Sequence, residues 1–224
     1  ITYGDWSSDV CSSDLIAEGA VAKMLKTDPA LFMSKKNANL ITTGNIEDNL
    51  DLLKDCDWIV EAVIERLDIK QDLFEKLDAL APPSVIIASN TSSLPVTAIA
   101  ARTKHPERCA GMHFFNPVPL MRLVEVIPGL KTEQWVSDAL MTIGRRMTRE
   151  PVLCVDSPGF LVNHIGRGLG PETQRILLEG IATHDEIDRI LTGAPGFRMG
   201  SFTLGDMVGI DVGNAAMASM YEQF

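Results

Sequence analysis

GMHFFNPVPLMRLVEVI, residues 111–127, sets His113, Asn116 and Glu125 in a run that otherwise has the composition of two buried strands. A buried carboxylate is costly unless something pairs with it. A histidine beside it can be held in one tautomer with its other ring nitrogen available, which is what a general base requires. Within the run Met112, Phe114 and Phe115 are apolar, Asn116-Pro117-Val118-Pro119 interrupts, and Leu123, Val124, Val126 and Ile127 resume the pattern. Proline fixes φ and gives no N–H to a sheet ladder, so the interruption predicts a tight connection between two sheet elements. By themselves His113 and Glu125 are also compatible with a satisfied core histidine and a glutamate facing solvent at a strand end. Their surroundings have to decide.

The elements that position them alternate. Leu50 to Lys54 reads as the end of a helix, and Asp57 to Val63 as a strand. Asp68 to Leu80 carries Leu73, Phe74, Leu77 and Leu80 at helical spacing, and Pro82-Pro83 ends it. Ser84 to Ala88 is a strand that closes on the polar tip Ser89-Asn90-Thr91-Ser92-Ser93. A helix over Thr132 to Met147 and a strand over Val152 to Val155 follow. This alternation implies parallel pairing in a doubly wound α/β sheet, where ligands bind beyond the carboxyl ends of the strands. The 89–93 tip and the Val63 to Arg66 turn lie at such ends, although Ser, Asn and Thr also favour ordinary turns and caps.

Asp156-Ser157-Pro158-Gly159 is the expected domain boundary, with an all-helical domain over 156–224. Phe160 to Leu178 reads as one helix stopped by Gly180, and Thr183 with Glu186 as a capping box opening the next. Gly166-Arg167-Gly168-Leu169-Gly170 looks like a phosphate loop. That fingerprint has meaning only between a strand and a helix, so close helix packing is the better expectation here.

With 224 residues, 46% hydrophobic and 22% charged, the chain can bury one large or two modest cores. Twenty basic against thirty acidic residues leave a net charge of -10, which argues against a nucleic-acid or anionic-membrane binder. No apolar run approaches the roughly 18 residues of a membrane span. Cys11, Cys56, Cys109 and Cys154 form no C-x-x-C pair. They read as free thiols in a reducing, cytoplasmic compartment, and no metal site is implied.

Five ordered words carry a resemblance from about Val21 to Phe224: WIVEAVIERLDIK (58–70), SNTSSLPVTAIA (89–100), GMHFFNPVPLMRLVEVI (111–127), DSPGFLVN (156–163) and GFRMGSFTLGDMVGIDV (196–212). On these the chain resembles the 3-hydroxyacyl-CoA dehydrogenase family. The resemblance implies an NAD-binding Rossmann-type domain over 16–155, a helical substrate and dimerisation domain, and oxidation of (3S)-3-hydroxyacyl-CoA to 3-oxoacyl-CoA in fatty-acid β-oxidation by a homodimer. It implies that His113 takes the hydroxyl proton, that Glu125 orients and polarises the imidazole, that Ser92 hydrogen-bonds the reacting oxygen, and that Asn163 helps hold the substrate. It further implies that Glu65, Lys70, Asn90, Ser92 and Asn116 border the cofactor. Asn116 has an equal claim as a turn residue before Pro117.

Two departures from the family pattern bear on this. Ser201 follows Gly200 where the family usually has proline, which is expected to loosen a helix start slightly. Ahead of Trp58 there is no G-x-G-x-x-G, and ITYGDWSSDVCSSDL (1–15) resembles translated adapter read-through. The segment is expected not to be native, the chain to be cut at both ends, and the chain as written to lack useful NAD-dependent activity. Two other readings stand beside the first: a hydroxy-acid dehydrogenase that does not use CoA, and a non-catalytic protein on the same fold. Lys23, Lys26, Lys35 and Lys36 could meet nucleotide phosphates or form a solvated face.

Overall fold

The computed structural model describes residues 13–28, 30–166, 168–210, 213, 214, 218 and 221. Most of the 1–15 segment, with Cys11, and Arg167 therefore lie outside the described residues. Two compact units meet in sequence at Asp156 and Ser157.

In the first unit, helix α1 (Ser13–Met24) comes first, then strand β1 (Trp58–Glu61), α2 (Leu67–Leu80), β2 (Ile86–Ser89), α3 (Val96–Ile99), β3 (Cys109–Phe114), β4 (Leu123–Pro128), α4 (Gln134–Arg146) and β5 (Glu150–Leu153). The five strands form one sheet in sequence order. β1, β2 and β3 are parallel, as are β4 and β5. The β3–β4 pair is antiparallel. The parallel expectation fails there because residues 115–122 are too few for a crossover helix, whereas an antiparallel neighbour needs only a short connection.

Side chains alternate across each strand. Ile59, Ile87 and Cys109 pack on one face with Leu73, Phe74 and Leu77 of α2 and Ile99 of α3. Ile86, Ala88, Ala110, Met112, Phe114, Val124 and Val126 pack on the other with Val136 and Leu140 of α4. The sheet is thus doubly wound. Alternation also puts Gly111, His113, Glu125 and Ile127 on the α3 side.

Several boundaries shift from the sequence reading. Leu50–Asp55 is a short 3₁₀ helix rather than the end of an α-helix. β5 starts two residues earlier than expected because its register is set by pairing, Leu123 with Glu150 and Val126 with Leu153.

The second unit holds α5 (Val162–Gly166), α6 (Leu169–Leu178), α7 (His184–Gly193) and α8 (Ser201–Val208), and no strand among the described residues. The single helix expected over 160–178 is two. Gly166, Gly168 and Gly170 weaken it, and Pro171 fits the first turn of α6, where its missing N–H costs nothing. A Cβ built at Gly166 or Gly170 would meet nothing within 4 Å among the described residues. Gly180 has φ +68, and the Thr183–Glu186 capping box is formed. The start of α8 is held without proline: Asp188 accepts the N–H groups of Phe202 at 3.0 Å and Thr203 at 2.8 Å.

Candidate active site

Register creates the central contact. His113 and Glu125 are direct partners across β3 and β4, so their side chains leave the sheet side by side. His113 Nδ1 lies 2.6 Å from Glu125 Oε2, with the carboxylate fully buried and the imidazole 4% exposed. Ser92, from the tip after β2, sets its Oγ 3.1 Å from His113 Nε2. With Nδ1–H donated to the carboxylate, Nε2 is the acceptor nitrogen, and the serine hydroxyl donates to it. The Phe115 ring closes one side, its centroid 4.5 Å from that of the imidazole. This arrangement can take a proton from a hydroxyl at Nε2 and stabilise the resulting imidazolium.

The scaffold beneath it is tight. A Cβ on Gly111 would stand 2.8 Å from Val96 Cγ2 and 3.0 Å from Ile127 Cβ, so only glycine lets α3 come this close to β3. The exposed N–H groups at the start of α3 are met by Asp156, which accepts from Val96 N and Thr97 N at 2.8 Å each and from the Thr97 hydroxyl at 2.6 Å.

Glu65 ties two loops together. Its Oε1 accepts the Thr91 hydroxyl at 2.6 Å, Ser92 N–H at 2.9 Å and Ser93 N–H at 3.0 Å. Burial works against its charge but is outweighed by Lys70 and by these hydrogen bonds, so its carboxyl is held below the usual range. Lys70 is 1% exposed, and its Nζ lies 2.7 Å from Glu61 Oε1, 3.2 Å from Glu65 Oε2 and 3.1 Å from the Val63 carbonyl. One of these partners, Glu65, is itself partly exposed, so Lys70 stands one contact behind the tip. Asn90 Oδ1 accepts Phe114 N–H at 2.8 Å, linking the tip after β2 to β3. Asn116 is exposed in the β3–β4 connection, where its peptide bond to Pro117 is cis. Asn163 belongs to α5 of the second unit.

These donors and acceptors fit half of a dinucleotide. Glu65, whose side chain is 37% exposed, suits a ribose hydroxyl, and the amides of Asn90 and Asn116 suit a carboxamide. Among the described residues, no strand–glycine turn–helix that would take the pyrophosphate precedes β1.

Sequence reading missed two residues that organise this region, Glu61 and Asp156. Glu61 carried a signal, a carboxylate at an inward position of WIVEAV with a lysine nine residues later. Asp156 gave none beyond its place at a domain boundary.

Residues 12–157 match the profile described as 3-hydroxyacyl-CoA dehydrogenase, NAD binding domain, and residues 159–224 match 3-hydroxyacyl-CoA dehydrogenase, C-terminal domain. The 3-hydroxybutyryl-CoA dehydrogenase of Clostridioides difficile is 37% identical over all of this chain and 82% of its own length. The human mitochondrial hydroxyacyl-coenzyme A dehydrogenase is 41% identical over 77% of this chain, which spans 55% of that protein. Among solved structures, 3-hydroxybutyryl-CoA dehydrogenase from Escherichia coli superposes with a TM-score of 0.85 at 35% identity, covering 96% of this chain and 46% of the other. The (S)-3-hydroxybutyryl-CoA dehydrogenase from Ralstonia eutropha gives 0.82 at 32%, covering 96% and 77%. On its sequence, its fold and the residues gathered at its strand ends, the chain belongs to the 3-hydroxyacyl-CoA dehydrogenase family.

Proposed function

We propose that this protein oxidises (3S)-3-hydroxyacyl-CoA to 3-oxoacyl-CoA with NAD, as a step of fatty-acid β-oxidation. The observation that carries the reading is the Ser92–His113–Glu125 relay, with Ser92 just beyond β2 and His113 near the carboxyl end of its parallel neighbour β3, and Glu125 set beside His113 by antiparallel β4. NAD, when bound, supplies the hydride acceptor. His113 Nε2 takes the proton of the substrate's 3-hydroxyl, and the buried Glu125 carboxylate favours the imidazolium that results. Ser92 Oγ hydrogen-bonds the reacting oxygen, and Asn163 contributes to holding the acyl-CoA. Glu65, Asn90 and Asn116 border the ribose and nicotinamide, with Lys70 fixing Glu65. A cytoplasmic homodimer completes the reading. It draws support from the unpaired Cys56, Cys109 and Cys154 and from the exposed Leu178, Ile181, Ile190 and Met207 of the second unit.

The test is NADH formation from acyl-CoA thioesters of several lengths against free 3-hydroxy acids. It is run on the 224-residue chain and on one carrying a strand, G-x-G-x-x-G turn, helix and second strand in place of residues 1–15. Turnover of thioesters by the grafted chain supports the proposal. Turnover of free hydroxy acids alone contradicts the CoA assignment.

A further inference from the structure

Glu61 ends β1 at 3% exposure, and the proposed chemistry does not use it. Its carboxylate is fully engaged: Oε1 accepts Lys70 Nζ–H at 2.7 Å and Val63 N–H at 2.6 Å, and Oε2 accepts the Ser89 hydroxyl at 2.6 Å. Two of these partners lead to the same tip. Ser89 Oγ accepts Thr91 N–H at 3.1 Å. Lys70 Nζ reaches Glu65 Oε2 at 3.2 Å, and Glu65 Oε1 gathers the Thr91 hydroxyl and the N–H groups of Ser92 and Ser93. Ser92 then presents its hydroxyl to His113 Nε2 at 3.1 Å.

A buried ion pair is weak evidence of a stabilising role, because well-packed apolar residues of similar volume often serve as well. What apolar residues could not do is carry hydrogen bonds from β1 to three consecutive residues of another loop. We propose that Glu61 is a positioning residue, which holds Ser92 against His113 by two branches, one through Ser89 and one through Lys70 and Glu65. The proposal rests on the reading of His113 and Ser92 as the proton-handling pair. Glu61→Gln keeps the shape but lets the single remaining carbonyl oxygen serve Lys70 or Ser89 without charge, so both branches slacken together.

The test is residue-resolved amide hydrogen exchange on the 224-residue chain, with the imidazole ¹⁵N signals of His113 as a second readout. Hydrogen bonds to charged groups are strong enough that E61Q should speed exchange at Thr91, Ser92 and Ser93 by about tenfold or more. Ile87 and Ala110, inside β2 and β3, should exchange as before, and the His113 Nε2 signal should move as the Ser92 hydroxyl shifts. Ser89→Ala cuts one branch and should act most on Thr91. Exchange that rises uniformly through β1, β2 and β3, or stays unchanged at 91–93, overturns the proposal and leaves Glu61 a structural residue. Should E61Q fail to fold, Ser89→Ala decides, and an unchanged Thr91 amide overturns it. Neither readout involves turnover. Normal activity in a His113 variant would remove the proton-handling role without touching these spectra, and unchanged spectra would remove Glu61 from the site without touching His113.

Discussion

Arg108, immediately before the strand that carries His113, is 1% exposed. Its Nε and Nη2 grip Asp78 Oδ1 at 3.2 and 2.7 Å. Nη2 also donates to the Asp78 carbonyl at 2.8 Å, and Nη1 donates to the carbonyls of Ala81, at 3.1 Å, and Pro82. The carbonyls of Asp78 and Ala81 belong to the end of α2, where no helical partner exists, so one guanidinium both pairs with a carboxylate and caps a helix. Arg108→Met keeps the apolar stem, removes these bonds and leaves the carboxylate buried. Breaking a buried pair in this way costs about 3–5 kcal/mol. With m near 1–3 kcal/mol per molar urea, the unfolding midpoint should fall by roughly 1 M or more. Urea titration followed by tryptophan fluorescence measures it. The double variant Arg108→Met with Asp78→Ala should remain at least about 2 kcal/mol below the parent, because the orphaned carbonyls persist at a cost of about 1–3 kcal/mol each. A loss below about 1 kcal/mol in the single variant, or full recovery in the double, would refute the clamp.

Three further outcomes follow from the same geometry. Burial opposes the charge of Asp78 but is outweighed by Arg108 and the Lys104 N–H, which hold its carboxyl below the ordinary range. A depressed carboxylate adds stability above its unfolded value of about pH 3.9 and loses it as pH falls through the folded value, so urea midpoints should drop in acid, and less steeply in Arg108→Met. Gly111→Ala forces a methyl against Val96 and Ile127 and should cost about 1–3 kcal/mol by the same titration; a neutral result would mean that α3 can retreat at no cost. Glu125→Gln keeps the hydrogen-bond shape but removes the charge that favours imidazolium. In a chain that turns over substrate it should lower kcat about 10–100-fold, from the roughly 1.5–3 kcal/mol of a charge-assisted bond, and unchanged turnover would place Glu125 outside the chemistry.

What the sequence revealed and what it hid divide along physical lines. Strands flanked by apolar alternation and the α2 stripe of Leu73, Phe74 and Leu77 were legible because local pattern and burial agree. The pairing of His113 with Glu125 was legible as proximity, since both sit in one short run; the 2.6 Å contact needed the antiparallel register. Where distance in sequence is long, the reading failed. Asp156 meets Val96 across sixty residues, and Arg108 meets Asp78 across thirty. Neither link leaves a periodicity. The split of the 160–178 segment was also missed, because three glycines spread their cost over a stretch whose apolar spacing still looks helical.

The proposed function depends on His113 Nε2 as the proton acceptor. The most direct measurement is steady-state NADH formation by His113→Gln in the grafted protein, alongside calorimetry of NAD binding. Loss of a general base should lower kcat by about two or more orders of magnitude while NAD affinity stays the same, because an interaction of the transition state alone is removed. Turnover within a few-fold of the parent would contradict the assignment and leave the Ser92–His113–Glu125 relay a structural feature of the sheet.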